Sequence, residues 1–294
     1  SGSSDDGLSQ GNSLTGLGNL ILGYNEGDGT EIRTGSHNLI LGDGHSYESH
    51  SGFIAGRNNH VSTAYSSVLG GASNTVDADY SVIVGGFDNL SSGNHSSVLG
   101  GYQNEAGNSF ATIAGGGNNS ALGSKSSVLG GTNNDAIGNA SAILGGNSNE
   151  SNGLNSTISG GVQGDTVADF SNISGGYSNT STAMYSSVLG GANNTPSGVS
   201  SSVLGGYLNQ ADGERSTIAA GYSNTTNSPY STVSGGYLNI VDGLVGSISG
   251  GAENYAFGEY SSILGGYNND AIGNYTGLLG GTAQTVTGIY STNP

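Results

Sequence analysis

The sequence predicts an all-β parallel solenoid, a β-roll or β-helix of about 17 coils, mostly of 15 residues. Three observations predict it. The first is a glycine pair, as in Ser66-Ser67-Val68-Leu69-Gly70-Gly71, whose first member recurs at every fifteenth place up to Gly280, with Ala220 as the one exception. We number each coil from that glycine as position 0. The second is position 13, aliphatic at all fifteen sites from Val68 to Leu278 and β-branched at fourteen of them. β-Branched residues suit a pleated strand better than a helix. The third is a two-residue alternation around that column, small at position 11 (Ser81, Ser96, Ser126) and variable at positions 5, 7 and 9.

In chain order, residues 1–18 read as a polar lead-in, and residues 19–60 carry the same coil with broken spacing. Asn19-Leu20-Ile21-Leu22-Gly23, Asn38-Leu39-Ile40-Leu41-Gly42 and Phe53-Ile54-Ala55-Gly56 are irregular versions of the strand, at glycine intervals of 19, 14 and then 15 up to Gly71. Much of the charge collects there: Asp5, Asp6, Glu26, Asp28, Glu31, Arg33, Asp43, Glu48 and Arg57. Solenoids need atypical terminal coils, so 1–60 is expected to be an N-terminal cap and 61–294 the regular roll. The chain ends at Thr292-Asn293-Pro294 without a closing pattern, as expected of a roll that continues into a further segment or subunit.

Within a regular coil, position 4 is Asn in thirteen of fifteen cases (Asn74, Asn104, Asn194) and position 8 is Gly in ten (Gly93, Gly123, Gly258). The alternation places positions 11, 13 and 0 inward. One strand is expected near positions 11–0 and a second near 4–7. Glycines mark corners that need positive φ or close approach.

Position 14 should face outward, yet it is Leu or Val in nine coils. Leu69, Leu99, Leu129, Leu144, Leu189, Leu204, Leu264 and Leu279 form the expected lateral interface, because an outward aliphatic stripe marks a contact surface. Tyrosine recurs at position 2 (Tyr102, Tyr177, Tyr267) and position 10 (Tyr80, Tyr185, Tyr260). In adjacent coils, Tyr207, Tyr222 and Tyr237 are expected to stack, as ring ladders that stiffen turns or as aromatics facing a ligand.

Four basic residues against 21 acidic give a net charge of −17. Nucleic acid and anionic membranes are therefore not expected partners. There is no cysteine for thiol or disulfide chemistry. No apolar run reaches the roughly 18 residues that insertion in a membrane would need.

The unit N-x-A-x-G-x-x-S-S-V-L-G-G, seen in Asn134-Asp135-Ala136-Ile137-Gly138 with Ser126-Ser127-Val128-Leu129-Gly130, resembles the YadA-like head of trimeric autotransporter adhesins. The resemblance covers most of 61–294. It implies a left-handed roll, a homotrimer of parallel rolls and chain-to-chain contacts through position 14. The family coil is typically one residue shorter and carries a single glycine where this one carries two.

Candidate chemistry is sparse. His45 and His50 lie near Asp43 and Glu48, a conceivable metal group; His37, His60 and His95 complete the histidines. Glycoside cleavage needs two carboxylates at fixed separation, for which Glu214 with Glu259, or Asp212 with Asp242, are the pairs to test. The acids otherwise scatter over outward positions, so no enzyme is expected. No cofactor is expected either: the acidity admits calcium, but no GGxGxDxUx repeat is present. The expected function is an extracellular structural and adhesive one, the rod-like head of a cell-surface fibre attaching to a host or surface protein or glycan. The alternative is a self-polymerising subunit of an extracellular filament or viral tail fibre. Ice binding ranks lower, since position 12 mixes Ser, Thr, Ala and Asn.

Overall fold

A computed structural model describes residues 18–23, 27 and 29–293; the lead-in at 1–17 lies outside the described residues. The fold is an all-β parallel solenoid of about 18 turns, with no helix among the described residues. It divides into two compact units, 1–147 and 148–294.

In the first unit, Leu20–Leu22 pairs in parallel with Leu39–Asp43, which pairs with Phe53–Arg57 along its whole length. Phe53–Ile54 pairs with Ser67–Val68, and from there two-residue strands repeat through Val82–Ile83, Ser97–Val98, Thr112–Ile113, Ser127–Val128 and Ala142–Ile143. The irregular coils are thus aligned as their sequences predict. A second ladder joins Ser46–Tyr47 and His60–Val61 to Thr75–Val76 and its successors at positions 5–6. A third contact per coil is a single bridge at position 2, Arg57↔Ala72↔Phe87↔Tyr102↔Gly117↔Thr132.

The second unit repeats this plan, from Thr157–Ile158 to Thr292–Asn293 at positions 12–13 and from Val162 to Thr282 at the bridges. Its position 5–6 ladder is interrupted. One run ends at Thr180–Ser181 and a new one starts at Thr195–Pro196. Pro196 has no amide proton to give the coil below. The flanking bonds persist, with Thr180 N donating to Asn194 O at 3.0 Å and Thr182 N to Pro196 O at 3.2 Å.

The strands are shorter than the sequence suggests because left-handed corners cut them. Position 1 glycines have φ of +82° to +107° from Gly71 to Gly266. Positions 3 and 10 are also left-handed, although glycine is absent from them: Ser73, Leu208, Tyr80 and Val245 all have φ between +56° and +60°. Such residues are strained, and here a regular bond holds each one. The position 3 amide donates to position 2 of the coil below, as Asp88 N to Ala72 O at 3.1 Å, and the position 10 amide to position 9, as Tyr80 N to Ala64 O at 3.2 Å. The amides at positions 12 and 14 donate the other way, as Ser67 N to Ser81 O at 3.0 Å and Leu69 N to Ile83 O at 2.9 Å.

One expectation is corrected. Position 0 does not face inward: a Cβ on Gly85, Gly100 or Gly130 would point into open space. The reason is an insertion. Ile40, Ile54 and Val68 follow one another at equal intervals, whereas the step from Val68 to Ile83 is one residue longer. The extra residue lies between the inward position 13 and the position 2 bridge. It bulges out of the strand and shifts the alternation after it.

The interior is narrow. Side chains at position 13 are 0–1% exposed, and position 11 serines and position 6 Ala, Val, Ser or Thr pack around them. Beside them the position 4 asparagines form a buried ladder. In the second unit, Asn224 Nδ2 donates to Asn209 Oδ1 (3.1 Å), Ala220 O (3.3 Å) and Gly236 O (3.1 Å), while its Oδ1 accepts from the Asn239 amide (3.0 Å). The geometry repeats from Asn59 to Asn134 in the first unit and from Asn179 to Asn269 in the second. A fully satisfied polar column in a low-dielectric interior specifies register as well as adding stability.

Gly164 breaks the ladder. Its amide donates to Asn149 Oδ1 at 2.9 Å, but it has no side chain to pass the pattern on to Asn179. Gly164→Asn is expected to raise the denaturation midpoint, by about 1–2 kcal/mol of added hydrogen bonding. Asn149 Oδ1, 3.1 Å from the new Cβ, must yield slightly. An unchanged or lower midpoint would show that the gap is not a defect.

Candidate functional surface

Two features stand out on the exposed surface. The first is the position 14 column, which leaves each coil on the face opposite the buried position 13. In the first unit it runs Leu69, Val84, Leu99, Ala114, Leu129, Leu144; Leu129 is 55% exposed, beside a Val128 that is 1% exposed. In the second unit it runs Ser159, Ser174, Leu189, Leu204, Ala219, Ser234, Ser249, Leu264, Leu279, the last 63% exposed. All eight leucines expected at the lateral interface are outward and exposed. They project from backbone held on both sides, as Leu204 N donates to Ile218 O and Leu189 N to Val203 O. The small residues between them leave relief. Ser247, Ser249 and Gly277 form a shallow depression against Leu264 and Leu279.

The second feature is aromatic. At position 10, Tyr65 and Tyr80 stack at 5.1 Å, and the column continues through His95 and Phe110 at 5.0 and 4.9 Å, with His50 edge-on to Tyr65. In the second unit Phe170 stacks on Tyr185, and Tyr260, Tyr275 and Tyr290 stack at 4.9 Å. At position 2, Tyr207, Tyr222 and Tyr237 are spaced 5.3 and 5.4 Å apart. The rings cover one another's faces and present edges and hydroxyls to solvent. The inner ring, Tyr222, has a neighbour on both sides, so a partner would meet this column edge-on. His50, His95 and Phe110 in the first unit and Phe170 in the second extend stacks that tyrosine alone reveals only in part; their shared register with Tyr80 and Tyr185 in the repeat is the signal.

The titratable residues disperse. His45 lies in the interior, His50 joins the aromatic column, Asp43 sits 3.9 Å from Arg57, and Glu48 sits 2.9 Å from His60. Among the described residues no group of three or more His, Asp or Glu side chains is placed to hold a metal ion. Three of the four carboxylates in these acid pairs have local partners. Glu214 pairs with Arg215 at 3.3 Å, Asp212 accepts from Ser197 and from Gln210, and Asp242 accepts from Tyr255 and Asn227. Burial, the hydrogen bond to Asp242 and the charges of Asp242 and Asp270 push the Tyr255 hydroxyl up to about 12. Asp165 is raised, first by burial and then by Glu150 in the adjacent coil; Asn152 Nδ2 bridges the two carboxylates.

No protein-family model matches this chain, and no curated protein matches it.

Proposed function

We propose that this chain is a structural and adhesive module of an extracellular surface fibre, assembled as a homotrimer in which the position 14 columns of three copies face one another. The observation that carries this reading is the exposed aliphatic column. A row of leucines held outward on hydrogen-bonded backbone, beside a filled core, gains only by covering itself. Another copy supplies the same residues at the same coil spacing, and the small residues between the leucines offer depressions for its side chains. The resemblance to YadA-like adhesin heads points the same way. The acidic surface keeps the assembly soluble, and the aromatic columns remain available for a protein or glycan partner. This role requires no catalysis.

The test is solution mass by light scattering. Wild type is expected to be a trimer, and the variant with Leu129, Leu144, Leu189 and Leu204 all changed to Ser a monomer of unchanged circular dichroism. A monomeric wild type would overturn the reading. Long polymers insensitive to the four changes would replace it with end-to-end assembly.

A further inference from the structure

We propose that His45 is a proton-released latch on the N-terminal irregular coils, holding them closed while its imidazole is neutral and opening them when it takes a proton. His45 is fully buried and stands where every regular coil of the first unit has its ladder asparagine. Its Nδ1 accepts the Asn59 amide at 3.2 Å, the bond that Asn59 Oδ1 accepts from Asn74 at 2.9 Å one coil later. Its Nε2 lies 3.0 Å from Leu41 O, as Asn59 Nδ2 lies 2.7 Å from Ala55 O, the carbonyl at the same place in the next coil. Because the Asn59 amide can only donate, Nδ1 must be the unprotonated nitrogen and Nε2–H the donor. The ring therefore serves as the first rung of the asparagine ladder in one tautomer.

A proton at Nδ1 would face the Asn59 N–H, donor against donor. That rung then breaks, and a buried cation remains with no solvent. The charged groups around it do not remove the conflict. Asp43 favours the proton but lies beside Arg57 at 3.9 Å. Arg33 Nε donates to the His45 carbonyl at 3.2 Å and Arg33 Nη2 sits 3.8 Å from Glu31, while His60 and Glu48 pair with each other on the adjacent ladder. Burial is the largest influence on the ring and lowers its proton affinity from the ordinary value of 6.5. The sign follows. The closed state binds the proton less well than the open one, so its advantage is complete above that value and declines as pH falls below it. Asparagine at the same place does not titrate, so the regular coils carry no such dependence.

The test is amide hydrogen exchange of the full chain between pH 7 and pH 5, expressed as protection factors to remove the intrinsic pH effect. Protection of the Asn59 amide is expected to fall as pH drops below 6.5 in wild type, by at most about tenfold per pH unit for one proton, and to stay flat in His45→Asn, which restores the ladder residue. Equal pH slopes in the two proteins would overturn the proposal. NMR titration of the wild-type imidazole gives a second reading that needs no variant. A ring that stays the Nε2–H tautomer until the coils open supports the latch, and one that titrates at the ordinary value in the closed state refutes it.

Discussion

Asn224→Ala is expected to destabilise the second unit by about 2–5 kcal/mol, a large effect for one side chain. The substitution removes three donated hydrogen bonds and leaves the buried Asn239 amide without its acceptor. The main cost is the stranded donor, because backbone polar groups in this interior have no water to turn to. Ser234→Ala, on the outward position 14 of the same coil, is the control and should change stability by less than about 0.5 kcal/mol. Chemical denaturation of both variants checks the contrast. Equal midpoints would mean that the ladder contributes little beyond its backbone bonds.

The glycine pair gives the second large effect, and its two members should behave oppositely. Gly236 has φ +98°, and a Cβ there would sit 2.2 Å from Gly251 O and 2.5 Å from Asn239 Nδ2. The collision is with the backbone of the next coil, which cannot move without parting the ladders. Gly236→Ala is therefore expected to cost about 4 kcal/mol or more. On Gly235 a Cβ would meet only Ala220 O, at 3.9 Å, so Gly235→Ala should be nearly neutral. The chain already carries one such replacement, Ala220, followed by an intact Gly221 at φ +107°. Comparable losses in the two variants would contradict the assignment of position 0 as an outward insertion.

Much of this architecture is written in the sequence because a solenoid repeats each decision. The position 13 column, the small side chains at position 11 and the asparagines are legible since one buried slot is filled the same way in coil after coil. Even Leu20, Leu39 and Phe53 pair as their broken spacing suggests. The left-handed corners at positions 3 and 10 are not legible. Tyr, Ser, Leu and Val all occupy them, because backbone hydrogen bonds to the coil below hold the strained φ whatever the side chain. Position 0 misleads for a related reason: strand alternation holds only until a residue bulges, and glycine at the bulge looks like glycine at a crowded corner.

On the surface, the outward leucines are legible from the same alternation, since position 14 follows the inward position 13 before the bulge intervenes. The aromatic column is half legible, because it is defined by ring shape and mixes Tyr, His and Phe. The ladder role of His45 is hidden, since its nearness to Asp43 in the sequence suggests a metal group instead. It occurs once, in one of the shorter coils, and the bonds at its two ring nitrogens show that an imidazole has taken the place of an asparagine.

The central claim is that position 14 columns of different copies meet in register. The absence of native cysteine permits a direct measurement, since an introduced thiol is the only one in the chain. Leu129→Cys, oxidised under native conditions, should give a covalent dimer from up to two of the three chains in each assembly, because disulfide formation needs Cβ atoms within about 4.5 Å. Asn139→Cys, on an exposed outward position 9, should stay free of covalent cross-links under the same oxidation. Cross-linking at 129 and not at 139 is the predicted result. Cross-linking at 139 alone, at both sites equally, or at neither would contradict lateral association through the aliphatic column.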